Sequence, residues 1–165
     1  MSALYVDANP LRKLVRRIAA TAHGSWVLAR TLHHADRVVY RVTRGRTTLA
    51  AILSGLPVLM LTTTGAKSGR RIASPILGIP EGGGIVIVGS NFGRPHDPGW
   101  IHNLQADPSG RIEMNGTTQD VVAEELTGEE RDRLMVMATE LYPGFPAYVR
   151  RAAPRRIRVL RLIPS

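Results

Sequence analysis

The chain has 165 residues, 44% of them hydrophobic, and a formal net charge of +9. This length and composition predict one folded domain with a hydrophobic core. The lack of cysteine excludes disulfides, thiolate metal sites and a catalytic thiol, and it favours a cytoplasmic location. The five histidines show no metal-binding spacing, so we expect no metal site.

Residues 1–48 are predicted to form a basic helical segment that precedes one globular unit at residues 49–165. Asn9-Pro10 is typical of a helix start, and apolar residues recur at helical spacing over residues 11–19, opposite basic side chains. This amphipathic helix either packs on the protein's own core or makes a peripheral contact with an anionic membrane, and the pattern leaves both open. A second helix is predicted over residues 26–43.

From residue 57 onward the pattern changes to β-strands separated by turns. Glycines and a proline predict a turn at residues 80–84, and Asn115-Gly116 predicts a tight hairpin turn. The predicted strands are residues 57–64, 72–79, 85–88, 111–114, 118–126 and 157–163.

Three helices are predicted among these strands. Residues 99–106 form the first, and Thr127 and Glu130 match a capping box at the start of the second, which ends near Pro143-Gly144. Residues 145–151 form the third. Six mostly antiparallel strands with flanking helices predict an α+β fold built on a small β-barrel.

The stretch from residue 59 to residue 71 reads LMLTTTGAKSGRR and predicts a strand that ends in a cationic loop, which we define as residues 65–71. Its glycines, hydroxyls and cations are suited to binding an anion. It is not a Walker A loop, because Lys67-Ser68 precedes Gly69 instead of following a glycine. Taken alone, it is equally consistent with an ordinary surface turn.

A second polar stretch, residues 90–108, follows a strand that is predicted to be buried. Its first part, residues 90–98, is called here the Ser90 loop, and it offers a hydroxyl, an amide and main-chain donors before a helix start. Trp100 either flanks a planar ligand or anchors the core. Further along, the aromatic residues from Tyr142 to Tyr148 either cap the core or cover a pocket.

Together these stretches resemble the deazaflavin-dependent nitroreductase family. The resemblance rests on four motifs: LTTTGAKSGRR, Gly89-Ser90-Asn91 after a Val-rich strand, P-x-W-x-x-N-L-x-A-x-P at residues 98–108, and Leu141-Tyr142-Pro143. It extends from about residue 45 to the C-terminus. It implies a split β-barrel related to flavin-binding pyridoxamine-oxidase-like folds. It also implies that the reduced 8-hydroxy-5-deazaflavin coenzyme (coenzyme F-420), whose tail carries a phosphate and glutamates, donates a hydride.

The resemblance further implies roles for individual residues. Ser90 and Tyr142 would lie near an electron-poor quinone, enone or nitroaromatic acceptor as catalytic residues, and Tyr142, Phe145 and Tyr148 would contact that acceptor. The residues implied to bind the coenzyme are Thr63, Thr64, Lys67, Ser68, Gly69, Arg70, Arg71, Pro75, Ser90, Asn91, Gly93, Trp100 and Asn103.

Two other functions remain open from the sequence. One is an oxidoreductase that binds a flavin nucleotide on the same barrel. The other is a nucleic-acid-binding module that uses the basic N-terminal third and the tail from residue 150, which contains six arginines and no acidic residue. The sequence disfavours nucleic acid because few aromatic residues are interleaved with these cations and no known nucleic-acid-binding motif is present. Monomer and homodimer are equally compatible with the sequence.

Overall fold

The computed structural model describes Thr21 and residues 57–142 and 144–165. The helices predicted over residues 11–19 and 26–43 lie outside the described residues. The predicted boundary between residues 48 and 49 also lies outside them and stays a prediction.

The described residues form six strands and three α-helices, all at the positions that the sequence predicts to within a few residues. The strands are β1 (Val58–Thr64), β2 (Arg71–Glu81), β3 (Gly84–Val88), β4 (Ser109–Met114), β5 (Thr117–Leu126) and β6 (Val159–Pro164), and the helices are α1 (Gly99–Ala106), α2 (Gly128–Leu141) and α3 (Phe145–Ala152).

The six strands close into a barrel in the order β1-β2-β3-β6-β5-β4, and every neighbouring pair is antiparallel. The predicted α+β barrel is therefore confirmed. The predicted Asn115-Gly116 turn is also confirmed, since both residues have positive φ (53° and 79°) and Met114 pairs with Thr117 across it. Positive φ at both central residues is what a two-residue hairpin turn requires.

Two apolar clusters lie on opposite faces of the barrel wall. Because side chains alternate along a strand, Ile85 and Ile87 of β3 belong to one cluster and Val86 and Val88 to the other. The first cluster receives residues from all six strands and from α1, so it fills the barrel interior. The second lies outside the barrel, beneath α2 and α3. Both faces of β3 are thus buried, which explains its uninterrupted apolar sequence.

Two predicted strand boundaries were wrong, namely the end of β2 and the start of β6. Pro80 and Glu81 remain in β2, paired with Ile85 and Gly84, because Gly82 and Gly83, with φ of 59° and 81°, suffice for the turn. The closing strand begins at Val159 and not at residue 157.

The hydrogen bonds of the predicted capping box do not form. Thr127 occupies the N-cap of α2 as predicted, but its side chain makes no capping hydrogen bond. The carboxylate of Glu130 instead accepts a hydrogen bond of 2.5 Å from the guanidinium of Arg161. A charge-assisted bond of this kind is stronger than the neutral bond that a capping box offers.

The C-terminal arginines pair with carboxylates from distant parts of the chain. The shortest contacts are Arg155–Asp97 (2.7 Å), Arg158–Glu125 (2.5 Å) and Arg161–Glu130 (2.5 Å). The tail therefore presents less uncompensated charge than its sequence indicates, which weakens the argument for nucleic acid as a partner.

These ion pairs predict that acid destabilises the protein. Glu81 accepts hydrogen bonds from Arg133 (2.8 Å) and Arg161 (3.2 Å). The bond from Arg133, followed by Arg161, holds the pKa of Glu81 below its ordinary value of 4.5. A lowered folded-state pKa stabilises the protein above the unfolded-state value, and this stabilisation disappears as the pH falls through the folded-state value.

We expect Glu81→Gln to lower the free energy of unfolding by about 1 kcal/mol at pH 7, and by progressively less as the pH falls below the ordinary pKa of 4.5. Urea unfolding measured from pH 3 to pH 7 checks this. Glu140→Gln, at an exposed position of α2, is the control. An equal loss at both ends of the pH range would contradict an ionic origin.

Candidate functional site

The cationic loop is a tight turn between β1 and β2 that directs its charges outward. Within it, the N–H groups of Gly65 and Gly69 donate to the carbonyls of Arg70 and Gly65, both at 2.8 Å, and the N–H of Arg70 donates to the Ser68 hydroxyl. A Cβ on Gly65 would lie 2.6 Å from that hydroxyl and 2.9 Å from the end of the Ile72 side chain, so both side chains would have to shift for a larger residue. Five side-chain positions of the loop are exposed, namely Ala66, Lys67, Ser68, Arg70 and Arg71.

Asn103 of α1 fixes the start of this loop. Its amide nitrogen donates to the hydroxyl of Thr63 (2.9 Å), and its amide oxygen accepts from the N–H of Ala66 (3.0 Å). Thr63 is fully buried and Asn103 is only 7% exposed. Because α1 begins directly after the Ser90 loop, Asn103 connects the two loops that the sequence identified as candidate ligand sites.

We predict that Asn103→Ala lowers the free energy of unfolding by about 2 kcal/mol, because it leaves a buried hydroxyl and a loop N–H without their amide partner. Urea denaturation measures this loss. Gln105→Ala, at an exposed position on the same helix, is the control and should change stability by less than about 0.5 kcal/mol. Equal effects of the two substitutions would show that the Asn103 contacts are dispensable.

The Ser90 loop has an unusual backbone. Asn91 and Phe92 have positive φ values of 45° and 55°, and Gly93 follows with 77°. Each such conformation costs roughly 1–3 kcal/mol in a non-glycine residue and persists only where surrounding contacts enforce it. One of these contacts is made by the Asn91 side chain, which donates to the carbonyl of His96 (3.0 Å). The amide of Asn91 is therefore engaged within the loop.

The Ser90 loop packs against α3, which carries most of the predicted aromatic segment. A Cβ on Gly93 would come within 3.0 Å of the Tyr148 backbone, so the approach requires glycine. The ring of Phe92 meets that of Tyr148 edge-on at 6.1 Å, and the Arg151 guanidinium donates to the carbonyl of Phe92 (3.1 Å). The loop and the aromatic residues thus form one continuous region.

The aromatic residues form a compact hydrogen-bonded cluster. The hydroxyls of Tyr142 and Tyr148 lie 2.8 Å apart, and Phe145 packs edge-on against both rings. All three side chains are buried, with Tyr142 the most exposed at 7%. Burial, together with Tyr142, raises the pKa of Tyr148 well above its ordinary value of 10.0, so this phenol is neutral at physiological pH.

The remaining residues that are predicted to bind the coenzyme are less exposed than those of the cationic loop. Trp100 is 9% exposed and belongs to the cluster that fills the barrel. Of the two roles that the sequence left open for Trp100, the structure therefore favours that of a core residue. Pro75 is half-buried in β2 opposite Met60, and Thr64 pairs with Arg71 at the base of the cationic loop. Direct coenzyme contacts by these residues stay predictions.

One residue that holds the site together could not be recognised from the sequence. Arg155 lies beneath the Ser90 loop, and its guanidinium donates to the loop carbonyls of Ser90 and Arg94 and to the carbonyl of Gly89 just before the loop. In the sequence it is one of six arginines in a basic tail, so composition alone did not distinguish it from exposed neighbours such as Arg156. Only the fold, which brings residues 89–97 next to residue 155, reveals its position.

Comparison with known proteins places these features in a family. A family model described as F420H(2)-dependent quinone reductase matches residues 31–163. A F420H(2)-dependent quinone reductase of Mycobacterium tuberculosis is 35% identical over 95 residues, which cover 57% of this chain and 62% of that protein. The chain thus aligns with less than two thirds of the length of that relative.

Two solved structures are similar to this chain. One, described as an F420-H2 dependent reductase (FDR-A), is 34% identical with a TM-score of 0.59, and the match covers 64% of this chain and 93% of that chain. The other, described as a domain-swapped dimer, is 31% identical with a TM-score of 0.61 and covers 86% of this chain and 99% of that chain.

The closed six-strand barrel, together with these sequence and structure matches, places the chain in the class of split-barrel F420H(2)-dependent reductases. The family model covers most of the sequence, and the chain belongs to the F420H(2)-dependent quinone reductase family. The resemblance predicted from the three stretches is therefore confirmed. Within the part of the chain that the structure describes, no helix is both long and apolar enough to cross a membrane.

Proposed function

We propose that this protein transfers a hydride from the reduced deazaflavin coenzyme to a planar, electron-poor acceptor of the quinone type, with enones and nitroaromatics as further candidates. The observation that carries the proposal is the link made by Asn103, which holds the cationic loop next to the helix that follows the Ser90 loop. Anion-binding groups and ring-binding groups are thereby supported by one short helix. Membership in the family supports the same conclusion.

The residues fit the coenzyme chemically. Its anionic tail requires exposed cations and hydroxyls, and Lys67, Arg70, Arg71 and Ser68 supply them on a loop that main-chain hydrogen bonds close. Thr63 and Asn103 act from beneath by holding the loop. The Ser90 loop supplies a hydroxyl and main-chain groups for the ring system. When bound, the reduced coenzyme supplies a hydride, and the acceptor additionally needs a proton.

The tyrosine pair is suited to supplying or orienting that proton. The hydroxyls of Tyr142 and Tyr148 lie 2.8 Å apart, so one phenol donates a hydrogen bond to the other. Because the pKa of Tyr148 is raised, this residue keeps its proton at neutral pH. Tyr142, the more exposed of the two, is the group that we assign to the acceptor oxygen. The apolar ring of Phe145 completes the aromatic contact surface.

A binding titration tests the proposal directly. Purified protein is titrated with the oxidised deazaflavin coenzyme while coenzyme fluorescence is followed, and flavin mononucleotide serves as the control ligand. We expect saturable binding of the deazaflavin and weaker binding of the flavin. Oxidation of the reduced coenzyme is then followed with a short-chain naphthoquinone, an enone and a nitroaromatic. Failure to bind the deazaflavin would refute the proposal, and preference for the flavin would favour a flavin-nucleotide enzyme.

We also propose peripheral contact between residues 11–19 and anionic membranes, which rests on their amphipathic charge pattern. Co-sedimentation with vesicles rich in anionic lipid tests it, with vesicles of neutral lipid as the control. Equal recovery in both pellets would contradict it.

A further inference from the structure

The side chain of Arg155 is buried beneath the Ser90 loop, with 11% of its surface exposed. Its guanidinium donates to the carbonyls of Gly89 (3.1 Å), Ser90 (3.0 Å) and Arg94 (3.1 and 3.2 Å), and to the carboxylate of Asp97 (2.7 Å). These contacts span the loop from its first residues to Asp97 near its end. A planar fork with five N–H donors can hold several carbonyls at once, whereas a lysine ammonium cannot do so with the same geometry.

The loop needs such support because its backbone is strained. Asn91 and Phe92, which follow the Ser90 carbonyl held by Arg155, both have positive φ. Strained residues of this kind keep their conformation only when neighbouring contacts over-determine it. The bonds from Arg155 flank the strained pair on both sides, at Ser90 before it and at Arg94 after it.

Asp97 keeps the guanidinium in place. Its second carboxylate oxygen accepts a hydrogen bond from Arg158 (3.2 Å), which in turn pairs with Glu125 of β5. The side chain of Asp97 is 13% exposed, so this pairing is largely shielded from solvent. The loop is thereby connected through Arg155 and Arg158 to the wall of the barrel.

From this geometry we infer that Arg155 is a positioning residue for hydride transfer, which sets the Ser90 loop against the coenzyme ring. The inference rests on the proposed function. The cationic loop holds the coenzyme tail independently, so the loss of Arg155 misplaces the ring more than it releases the coenzyme. Small displacements of reacting groups have large effects on rate.

The test compares three variants of the full chain, Arg155→Ala, Arg155→Lys and Arg156→Ala. Arg156 is the matched control, because it is the adjacent arginine, is mostly exposed and contacts only Asp132 among the ion pairs of the described residues. The measurements are the dissociation constant of the oxidised coenzyme and the single-turnover oxidation rate of the reduced coenzyme with naphthoquinone.

We expect Arg155→Ala to lower the single-turnover rate by about 10-fold or more while the dissociation constant changes by less than about 3-fold. Added methylguanidinium should restore part of the rate of Arg155→Ala, because it can occupy the space left by the side chain. Arg155→Lys keeps the charge opposite Asp97 and should fold even if the alanine variant does not, but it should remain slow. Arg156→Ala should behave like the wild type.

Wild-type rates in both Arg155 variants would overturn the inference. A fall in rate that matches a loss of folded protein and resists methylguanidinium would also overturn it, because it would indicate a purely structural role. If the wild type itself fails to bind the coenzyme, the proposed function falls and the inference with it. If the wild type binds and oxidises the coenzyme and both Arg155 variants do so equally well, only the role of Arg155 is refuted.

Discussion

Replacing Lys67 and Arg71 together by alanine is expected to weaken coenzyme binding by about 100-fold. The two side chains are exposed on the cationic loop, so they are available to an anionic tail and are not needed for the core. A charge-assisted contact contributes about 1.5 kcal/mol, and each 1.4 kcal/mol corresponds to tenfold in affinity. Titration of the double variant with the oxidised deazaflavin coenzyme, followed by fluorescence, measures the effect.

Salt concentration separates an ionic effect from a structural one. The screening length falls from about 10 Å at 0.1 M ionic strength to about 3 Å at 1 M. The difference between wild type and double variant should therefore shrink in high salt. Arg133→Ala is the control, because Arg133 pairs with Glu81 at the opposite end of β2 from the cationic loop. A weakening that persists in 1 M salt, or that Arg133→Ala reproduces, would show that the loop does not bind the tail through charge.

The barrel was predictable because its determinants are local. The apolar runs, the paired glycines at residues 82–83 and the Asn115-Gly116 turn each specify a strand or a hairpin within a few residues. The alternation of β3 between two clusters follows from strand geometry once both faces are covered. The capping box failed for the opposite reason. Glu130 matches the local pattern, but its carboxylate pairs with Arg161, which lies far away in the sequence.

The same distinction applies to the candidate site. The two loops and the aromatic residues were visible as sequence patterns, because glycine, hydroxyl and cation content is a local property. Their connections were not visible, since Asn103 meets Thr63 across 40 residues and Arg155 meets the Gly89 carbonyl across 66. The sequence left open whether Trp100 flanks a ligand or anchors the core, and the structure shows it buried in the cluster that fills the barrel.

Tyr142→Phe is expected to lower turnover by about 100-fold and to leave coenzyme affinity nearly unchanged. The substitution keeps the ring, and therefore its packing against Phe145 and Tyr148, but removes the hydroxyl that we assign to the acceptor. Proton transfer from a positioned side chain typically contributes 10²-fold or more to a rate. The split between the single-turnover rate and the dissociation constant of the coenzyme measures the effect.

Tyr148→Phe identifies which phenol acts on the acceptor. If Tyr148 only orients Tyr142 through their 2.8 Å bond, its loss should reduce the rate less than the loss of Tyr142. Since burial raises the pKa of Tyr148, its ionisation cannot reduce the wild-type rate between pH 6 and about pH 9, and a fall in that range would have to come from another group. A larger defect in Tyr148→Phe than in Tyr142→Phe would reverse the two assignments. Unchanged turnover in both variants would remove the tyrosine pair from the mechanism and leave a solvent molecule as the proton source.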